Sequence, residues 1–262
     1  MPRFSVIVPA YKVQAYLQEC LRSVLGQDHG DIELIVVDDG SPDGCGAIID
    51  EAAARDPRVV PVRPAAHTGP GGARDAGLDR ARGDYLVFLD GDDTSRRRAA
   101  RDGPAAGGVR RAGPAGVRPR AHVLDGRPGA RRPRRRARPD RRPGGPAHLP
   151  LAHHPELLRQ PSAVWNKTYR RDFVERQGLR FPPGFYEDVP WTYPALLAAG
   201  SIGVLDRVCV HYRQRRRGGI LRTPSSRHLD VFDQWDRVSG TSTRGRSWRT
   251  GGPRCSSGCS TT

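Results

Sequence analysis

The sequence predicts an α/β protein with a mostly parallel sheet flanked by helices. Apolar, strand-like runs alternate with amphipathic helical stretches over the first 93 residues. The run at 85–89 is unbroken and the run at 32–37 is interrupted only by Glu33, which is the pattern of strands covered on both faces. Acidic or glycine-rich turns follow these runs, as expected where a parallel sheet binds ligands at its carboxyl edge.

Each element predicted in the first half of the chain supports the α/β class. The helix predicted at 14–25 places its aliphatic residues on one face, and the helix at 47–54 follows a turn rich in Gly, Ser, Pro and Asp. Because strand and helix alternate strictly, we expect right-handed βαβ units. The predicted strands lie at 4–8, 32–37, 58–62 and 85–89, and the predicted helices at 14–25, 47–54 and 71–82.

Residues 96–150 have a different character. They contain no Phe, Trp, Tyr or Ile, but hold 17 Arg, 3 Asp, 9 Pro and 9 Gly, so their net charge is +14 of the +16 in the chain. We predict a disordered Arg/Pro/Gly-rich insert that supplies neither helix nor strand. Two interpretations stay open, a natural basic linker and an out-of-frame translation of a GC-rich gene with 42 Arg and 2 Lys. Out-of-frame sequence would leave weak or no turnover.

The pattern is globular again between residues 151 and 238. A helix is predicted at 170–178, closed by Gly178, and another at 186–199 with a kink at Pro194. Strands are predicted at 202–205 and 207–212. The predicted organisation is therefore an α/β half at 1–95, the insert at 96–150, a second globular half at 151–238, and a disordered or out-of-frame tail at 239–262.

Composition limits the compartment and the class of site. The five cysteines are odd in number and scattered, which fits a reducing compartment and no zinc site. Neither a secretory leader nor an apolar stretch of about 18 residues is present. We therefore expect a cytoplasmic protein.

Three carboxylates follow the predicted strand at 85–89. Asp90, Asp92 and Asp93 fall within four residues, and such a group repels itself unless a cation lies between its members. A divalent cation bound to a diphosphate would resolve the repulsion. The alternative is a polar turn, for which Asp-Gly-Asp-Asp is suitable.

Three further motifs lie at the same predicted edge. Pro9, Ala10 and Tyr11 end the first strand, and Tyr11 either stacks on a nucleobase or is a core tyrosine. Asp39, in Val-Val-Asp-Asp-Gly-Ser, either accepts hydrogen bonds from a base or ribose or belongs to a solvated turn. The glycine-rich helix entry allows backbone to approach a phosphate that Arg74 would neutralise, although such a turn alone is weak support.

Taken in this order, these motifs resemble glycosyltransferase family 2, with the GT-A (Rossmann-like) fold. The resemblance covers residues 3–94 and is nearest to enzymes of bacterial cell-surface polysaccharide and teichoic-acid-type synthesis. Two departures are Asp75, where the family usually has Asn, and His67 in His-Thr-Gly-Pro, where Asn and Gly are usual.

The resemblance implies a metal-dependent enzyme that uses a nucleoside-diphosphate sugar. Residues 1–95 would form the nucleotide-sugar-binding half and residues 151–238 the acceptor-side half. The 9–11 segment and Asp39 would hold the nucleobase, and Asp90 would contact the ribose or donor sugar. Asp92 would bind Mn²⁺ or Mg²⁺. The acceptor would be a polysaccharide or a lipid-linked precursor, which places the protein at the inner face of the membrane as a peripheral protein.

An acidic pair at the start of a predicted helix is the candidate base. Glu187 and Asp188 suit the helix macrodipole, so capping is the alternative. The resemblance implies that Asp188 takes the proton of the acceptor hydroxyl, with Glu187 as the second choice. A single displacement of this kind inverts the anomeric configuration.

The last candidate site residues lie at the end of a predicted strand and are basic. His211 is either a metal ligand or diphosphate contact, or a structural histidine. Arg213, Arg215 and Arg217 alternate, so one face would contact a phosphorylated acceptor or the donor, unless it is a solvated edge. Two other functions compete. One is a basic polyanion-binding protein acting through 96–150, although no specific nucleic acid is expected, and the other is a nucleotidyltransferase.

Overall fold

A computed structural model of the chain describes residues 2–96, 151–205, 209–213 and 224–243, with the backbone of three short strands between 109 and 149. The strands are β1 (Phe4–Ala10), β2 (Ile32–Asp38), β3 (Val59–Val62), β4 (Tyr85–Phe88), β5 (Thr94–Ser95), β6 (Val109–Arg111), β7 (Ala121–Asp125), β8 (Ala147–Leu149), β9 (Lys167–Arg170), β10 (Ser201–Leu205) and β11 (Val210–Tyr212). The helices are α1 (Gln14–Leu25), α2 (Cys45–Arg55), α3 (Gly69–Leu78), α4 (Arg171–Gln177), α5 (Asp188–Ala198) and α6 (Asp230–Thr243).

Half of the main sheet, from β3 at its edge to β4, is parallel, as predicted. Its strand order over the described residues is β3-β2-β1-β4-β9-β7-β10-β8. β1 runs parallel to both β2 and β4, and β2 runs parallel to β3. β9 is antiparallel to β4 and parallel to β7, and β10 is antiparallel to both of its neighbours. A smaller sheet has the order β5-β11-β6. The α/β class with a mostly parallel sheet is therefore confirmed.

The sheet is buried on both faces. Along β1, Ile7 packs into a core with the residues of α3 and α5, while Val6 and Val8 pack into a second core with α1. Because successive side chains of a strand point to opposite faces, an unbroken apolar run is needed to fill both cores. Cys20, Cys45 and Cys209 are buried, and these three cysteines are not in disulfides.

An aromatic cluster anchors the start of α5 against the sheet. Trp191 is fully buried and stacks on Phe181, with ring centroids 4.1 Å apart and planes 3° apart. Phe88 of β4 and Tyr169 of β9 pack edge-on against the Trp191 ring. The residues just before Trp191 are therefore held at the end of β4, where the predicted site lies.

Two expectations about disordered segments need correction. Within 96–150, the stretches at β6, β7 and β8 pair as strands, and β7 lies between β9 and β10. The sequence of these stretches shows no strand periodicity. They pair nonetheless, because hydrogen bonds between neighbouring backbones do not require an alternating pattern of side chains. The first five residues of the predicted tail, 239–243, are the last part of α6. The rest of 97–150 and residues 244–262 lie outside the described residues.

Local signals for helix ends worked well in the second half. Gly178 has φ 60° and caps α4 in the left-handed conformation, as predicted. Pro194 lies within α5, also as predicted. In the first half, α3 ends at Leu78, four residues before the predicted end, and Asp79 is its C-cap. A pattern of side chains locates a helix more reliably than its last turn.

Asp75 links α3 to the segment that precedes α5. Both of its carboxylate oxygens accept from the main-chain N–H of Phe181, at 3.3 and 3.1 Å. Burial raises the pKa of Asp75 from 3.8 to about 6. Because the folded state binds this proton more tightly than the unfolded state does, the wild-type protein loses stability as the pH rises from about 4 through about 6.

We therefore expect Asp75→Asn to stabilise the protein at pH 8 by about 1–2 kcal/mol and to change stability little at pH 4. The amide oxygen still accepts from Phe181, but no charge is buried. Urea unfolding at both pH values measures the difference. Asp79→Asn, in an exposed pair with Arg180, is the control and should be nearly neutral. An equal effect of Asp75→Asn at both pH values would contradict the prediction.

Candidate active site

The carboxyl ends of β1, β2 and β4 meet the first turns of α3 and α5. The Ala10 carbonyl at the end of β1 accepts the Asp39 N–H at 3.1 Å, which joins the first two strand ends. The start of α3 lies against the acidic turn before α5. A Cβ on Gly71 would lie 3.2 Å from Cγ of Glu187, so a larger residue at 71 would press against this turn. The topology thus brings residues 74, 90 and 187–188 to one edge.

Arg74 is the centre of this edge. Its Nη2 donates to Asp90 Oδ1 at 2.8 Å, and its Nη1 donates to Glu187 Oε1 at 2.5 Å and to Asp188 Oδ1 at 3.3 Å. The Arg74 side chain is 5% exposed, whereas those of Asp90 and Asp188 are 27% and 21% exposed. The buried Arg74 guanidinium therefore joins Asp90, the candidate contact for the sugar donor, to Asp188, the candidate base. Both carboxylates remain within reach of a ligand.

The charges of this cluster do not cancel, since one cation faces three carboxylates. Burial alone would lower the pKa of Arg74, but Asp188, Asp90 and Glu187 together raise it. Burial, with Glu187 and Asp90 nearby, raises the pKa of Asp188 to about 7 although Arg74 opposes the shift. Asp188 can therefore exchange a proton near neutral pH, as a general base must.

The turn that presents Glu187 and Asp188 is strained. Tyr186 has φ 62° and Gly184 has φ 105°, in the region that favours glycine. Such a conformation persists only when its surroundings determine it. Here α6 does so: Asp230 Oδ2 accepts from the Phe185 N–H at 2.9 Å, and Gln234 Nε2 donates to the Pro183 and Phe185 carbonyls.

Sequence reasoning missed this support from α6. Gln234 is 1% exposed, although glutamine is normally a surface residue. The only signal in the sequence is the spacing of Asp230 and Gln234, which places two polar residues on one helical face. A helical face exposed to solvent would show the same spacing of polar residues.

A buried lysine flanks the other side of Asp188. Lys167 Nζ donates to the Pro161 and Ala163 carbonyls and to Asn166 Oδ1, at 2.9, 2.8 and 2.7 Å. Burial lowers the pKa of Lys167 to about 7. The lysine closes the 161–167 loop, whose Val164 N–H points to Asp188 Oδ2 at 3.4 Å.

The three carboxylates after β4 do not act as one group. Asp93 is fully buried, and its Oδ1 accepts the main-chain N–H of Arg213 at 2.7 Å. Burial and the nearby Asp90 raise the pKa of Asp93 to about 8. Only Asp90 and Asp92 therefore have side chains that solvent partly reaches. The expectation of three carboxylates around one cation is wrong for Asp93, because the start of β5 turns it inward.

The basic strand end is only partly described. The Arg213 guanidinium donates to the Asp92 carbonyl at 3.0 Å and to Glu19 Oε2 at 2.7 Å, so it braces the 92–93 turn. Its predicted contact with a phosphorylated acceptor stays a prediction, and Arg215 and Arg217 lie outside the described residues. His211 is exposed and pairs with Thr94, two residues beyond Asp92.

A divalent cation would find oxygen donors here but an incomplete shell. Asp90 and Asp92 offer hard carboxylate oxygens, the ligand type that Mg²⁺ and Mn²⁺ prefer. Over the part of the chain that the structure describes, no three His, Cys, Asp or Glu side chains converge as a metal site. The residues present therefore fit a cation whose remaining ligands come from a bound diphosphate and water.

The predicted nucleobase residues lie beside this edge. Tyr11 is 37% exposed, whereas Pro9 is partly buried and Ala10 fully buried, so these two offer backbone. Asp39 is only 2% exposed, and its carboxylate accepts from Thr68 and from the Gly69 N–H. Its predicted hydrogen bond to a base stays a prediction. None of the helices described is both long and apolar enough to cross a membrane.

Known proteins are similar to this chain in sequence and in fold. The family model for glycosyl transferase family 2 matches residues 5–138. The uncharacterized glycosyltransferase EpsJ of Bacillus subtilis strain 168 is 32% identical over 216 residues, which cover 82% of this chain and 62% of EpsJ. The putative teichuronic acid biosynthesis glycosyltransferase TuaG of the same strain is 40% identical over 92 residues, covering 35% of this chain and 36% of TuaG. The chain thus spans less than two thirds of these relatives.

Two solved structures show the same fold at low identity. S. aureus TarS 1-349 in complex with UDP-GlcNAc has a TM-score of 0.69 at 21% identity, covering 92% of this chain and 66% of that one. The mannosyltransferase PcManGT from Pyrobaculum calidifontis, in complex with GDP-Man and Mn²⁺, has a TM-score of 0.53 at 18% identity, covering 94% and 76%. The fold is therefore GT-A-like, and the family match extends beyond the motifs into the 96–150 segment. The chain belongs to glycosyl transferase family 2.

Proposed function

We propose that the protein is a metal-dependent inverting glycosyltransferase that uses a nucleoside-diphosphate sugar. The observation that supports this most is the Arg74 cluster. One guanidinium group contacts both Asp90, after β4, and Asp188, at the start of α5, although these two residues lie 98 positions apart in the chain. A donor at the carboxyl edge of the sheet and a base beside it are what a single displacement requires.

In the proposed reaction, Asp188 accepts the proton of the acceptor hydroxyl as its oxygen attacks the anomeric carbon. The bond from that carbon to the diphosphate breaks, and its electron pair leaves on the diphosphate oxygen. Attack from the opposite face inverts the configuration. Asp188 is the better candidate than Glu187, because its side chain is 21% exposed while that of Glu187 is 9% exposed and hydrogen-bonded to Arg74.

Asp92 would hold the divalent cation, with His211 as a second candidate ligand, and Asp90 would contact the ribose or the donor sugar. When bound, Mn²⁺ or Mg²⁺ supplies Lewis-acid stabilisation of the negative charge on the departing diphosphate. The chain's own residues shape the edge around it. Arg213 fixes the main chain at Asp92 and Asp93, and Arg74 fixes one oxygen of Asp90.

Relatives support the classes of donor and acceptor. The TarS complex contains UDP-GlcNAc and the PcManGT complex contains GDP-Man with Mn²⁺. A Campylobacter jejuni relative, 37% identical over 94 residues, is named a glucosyltransferase that acts on an undecaprenol-linked glycan. We propose a nucleoside-diphosphate sugar as donor, and a polysaccharide or lipid-linked glycan as acceptor, at the inner face of the membrane.

Thermal-shift titrations with UDP, GDP and CDP, with and without Mn²⁺, test the donor half of the proposal. We expect at least one nucleotide to raise the melting temperature more with Mn²⁺ than without it. Asp92→Asn should remove the Mn²⁺-dependent part, whereas Asp233→Asn, on the exposed face of α6, should not.

Incubation with labelled nucleotide sugars then separates the enzyme classes. Release of a nucleoside diphosphate supports glycosyl transfer, whereas release of pyrophosphate from a parallel incubation with nucleoside triphosphates and a sugar 1-phosphate would indicate a nucleotidyltransferase. No stabilisation by any nucleotide and no product would contradict the proposed function.

A further inference from the structure

Beside the acidic cluster, the surface at the ends of β1 and β2 holds a ring pair that the proposed reaction does not use. The His67 imidazole stacks on the Tyr11 ring, with centroids 4.2 Å apart and planes 28° apart. The His67 side chain is 50% exposed and Tyr11 is 37% exposed, so neither ring is a core residue. A flat heteroaromatic ring on the face of Tyr11 has the geometry that a bound nucleobase would take.

The same imidazole also hydrogen-bonds to Asp39. His67 Nδ1 lies 2.8 Å from Asp39 Oδ2 and 2.9 Å from the Asp39 carbonyl oxygen. Both of these oxygens are acceptors, so Nδ1 must carry the hydrogen and donate it. The ring N–H therefore donates to the Asp39 carbonyl and lies 2.8 Å from the Asp39 carboxylate, beside the ring's stacking partner, where the N–H of a base would lie.

Asp39 has no acceptor position left for a ligand while His67 is in place. Its Oδ1 accepts from the Thr68 N–H and hydroxyl, its Oδ2 accepts from the Gly69 N–H, and His67 Nδ1 lies 2.8 Å from Oδ2. A carboxylate offers about four lone-pair sites; three donors use three of them, and the His67 N–H lies against the fourth. A nucleobase can reach Asp39 only if one of these donors leaves.

Only His67 can leave at low cost. Thr68 and Gly69 are the N-cap and first residue of α3, so losing their hydrogen bonds would open the start of that helix. The His67 side chain is half exposed and can rotate away from the surface without moving the backbone.

We propose that His67 occupies the nucleobase subsite of the ligand-free protein and that the donor nucleotide displaces it. The ring stands in place of the base on Tyr11, and Nδ1–H stands in place of the base N–H on Asp39. This inference rests on the proposed function, because it requires a nucleotide donor at this edge. His67 then lowers the affinity for the donor and selects among bases.

The hydrogen-bond pattern defines the class of base. Uracil, thymine and guanine carry a ring N–H that can replace the His67 donor on Asp39. Cytosine and adenine carry an acceptor nitrogen at the corresponding ring position, which would face the carboxylate unfavourably. The donor is therefore a nucleoside-diphosphate sugar whose base has a ring N–H.

Calorimetric titration of the full chain with UDP, GDP, CDP and ADP tests this, comparing the wild type with His67→Ala. We expect the variant to bind UDP or GDP about three- to thirty-fold more tightly, since the base no longer displaces a stacked and hydrogen-bonded ring. CDP and ADP should change by less than about two-fold. His67→Phe retains a ring that can stack but lacks the N–H, so its gain should be smaller.

Two controls keep the result interpretable. His154→Ala removes an imidazole that pairs with the exposed Glu156, and it should leave nucleotide affinity unchanged. Combining His67→Ala with Tyr11→Ala should remove most of the gain, because the base then lacks its stacking partner. Melting temperatures verify that each variant is folded.

If UDP or GDP binds the wild type and His67→Ala binds it equally or more weakly, His67 does not occupy the base subsite and the inference is wrong. The proposed function would survive that result. If no nucleotide binds the wild type or any variant, the proposed function fails and the inference fails with it.

Discussion

Asp188→Asn should reduce sugar transfer by about 10²–10⁴-fold while leaving donor binding nearly unchanged. The amide keeps the shape of the side chain and can still accept from Arg74, but it cannot take the acceptor proton. Transfer under single-turnover conditions, measured alongside donor affinity, isolates the chemical step. A single-turnover measurement also detects the chemical step if residues 96–150 make repeated turnover slow.

The pH profile sharpens this prediction. Because the base must be ionised and the pKa of Asp188 is raised to about 7, transfer by the wild type should fall as the pH drops below about 7. Glu187→Gln should cost mainly stability, since Glu187 is buried against Arg74. Asp236→Asn, at an exposed position of α6, is the matched control. Transfer by Asp188→Asn within about five-fold of the wild type would rule out Asp188 as the base.

Arg74→Leu should lower the free energy of unfolding by about 3–5 kcal/mol at pH 8. The substitution leaves Asp90, Glu187 and Asp188 close together with no cation between them. Without the cation, the neighbouring carboxylates keep the pKa of Asp188 in the folded variant above its value in the unfolded chain. Destabilisation is therefore present at high pH and is relieved as the pH falls.

Urea unfolding at pH 8 and pH 5 measures this effect. The loss should be smaller at pH 5, where protonation relieves the repulsion. Arg180→Leu is the control, because its pair with Asp79 is exposed on both sides, and its effect should stay below about 1 kcal/mol. Arg74→Lys should lie between the two, since it keeps the charge but not the two-pronged guanidinium. An unfolding free energy for Arg74→Leu within about 1 kcal/mol of wild type at pH 8 would show that Arg74 is not the centre of the site.

Much of the fold was readable because its signals are local. The run at 32–37, apolar apart from Glu33, predicted a strand covered on both faces, and the two cores on either side of β2 confirm it. Gly178 predicted the end of α4 through the single conformation that it favours. Where the signal was not local it failed, as for β7, whose strand partners come from distant parts of the chain.

The candidate site divides in the same way. Asp90, Asp92 and Asp188 were found as acids at the end of a strand or the start of a helix, positions with a chemical meaning of their own. The role of Arg74 was different: we predicted a phosphate contact, and the structure places its guanidinium among three carboxylates. The support that α6 gives to the 183–187 turn was not predicted, because Gln234 looks like any surface glutamine.

The sequence by itself determined the fold class, the family and the residue types that carry chemistry, because alternation, turn chemistry and strand-end acids depend on residues close together in the chain. Only the tertiary structure decided which of those residues meet. It turned Asp93 inward, joined Asp90 to Asp188 through Arg74, and set His67 against Tyr11 and Asp39. Contacts across tens of residues depend on how packed elements share space, and no local pattern records that.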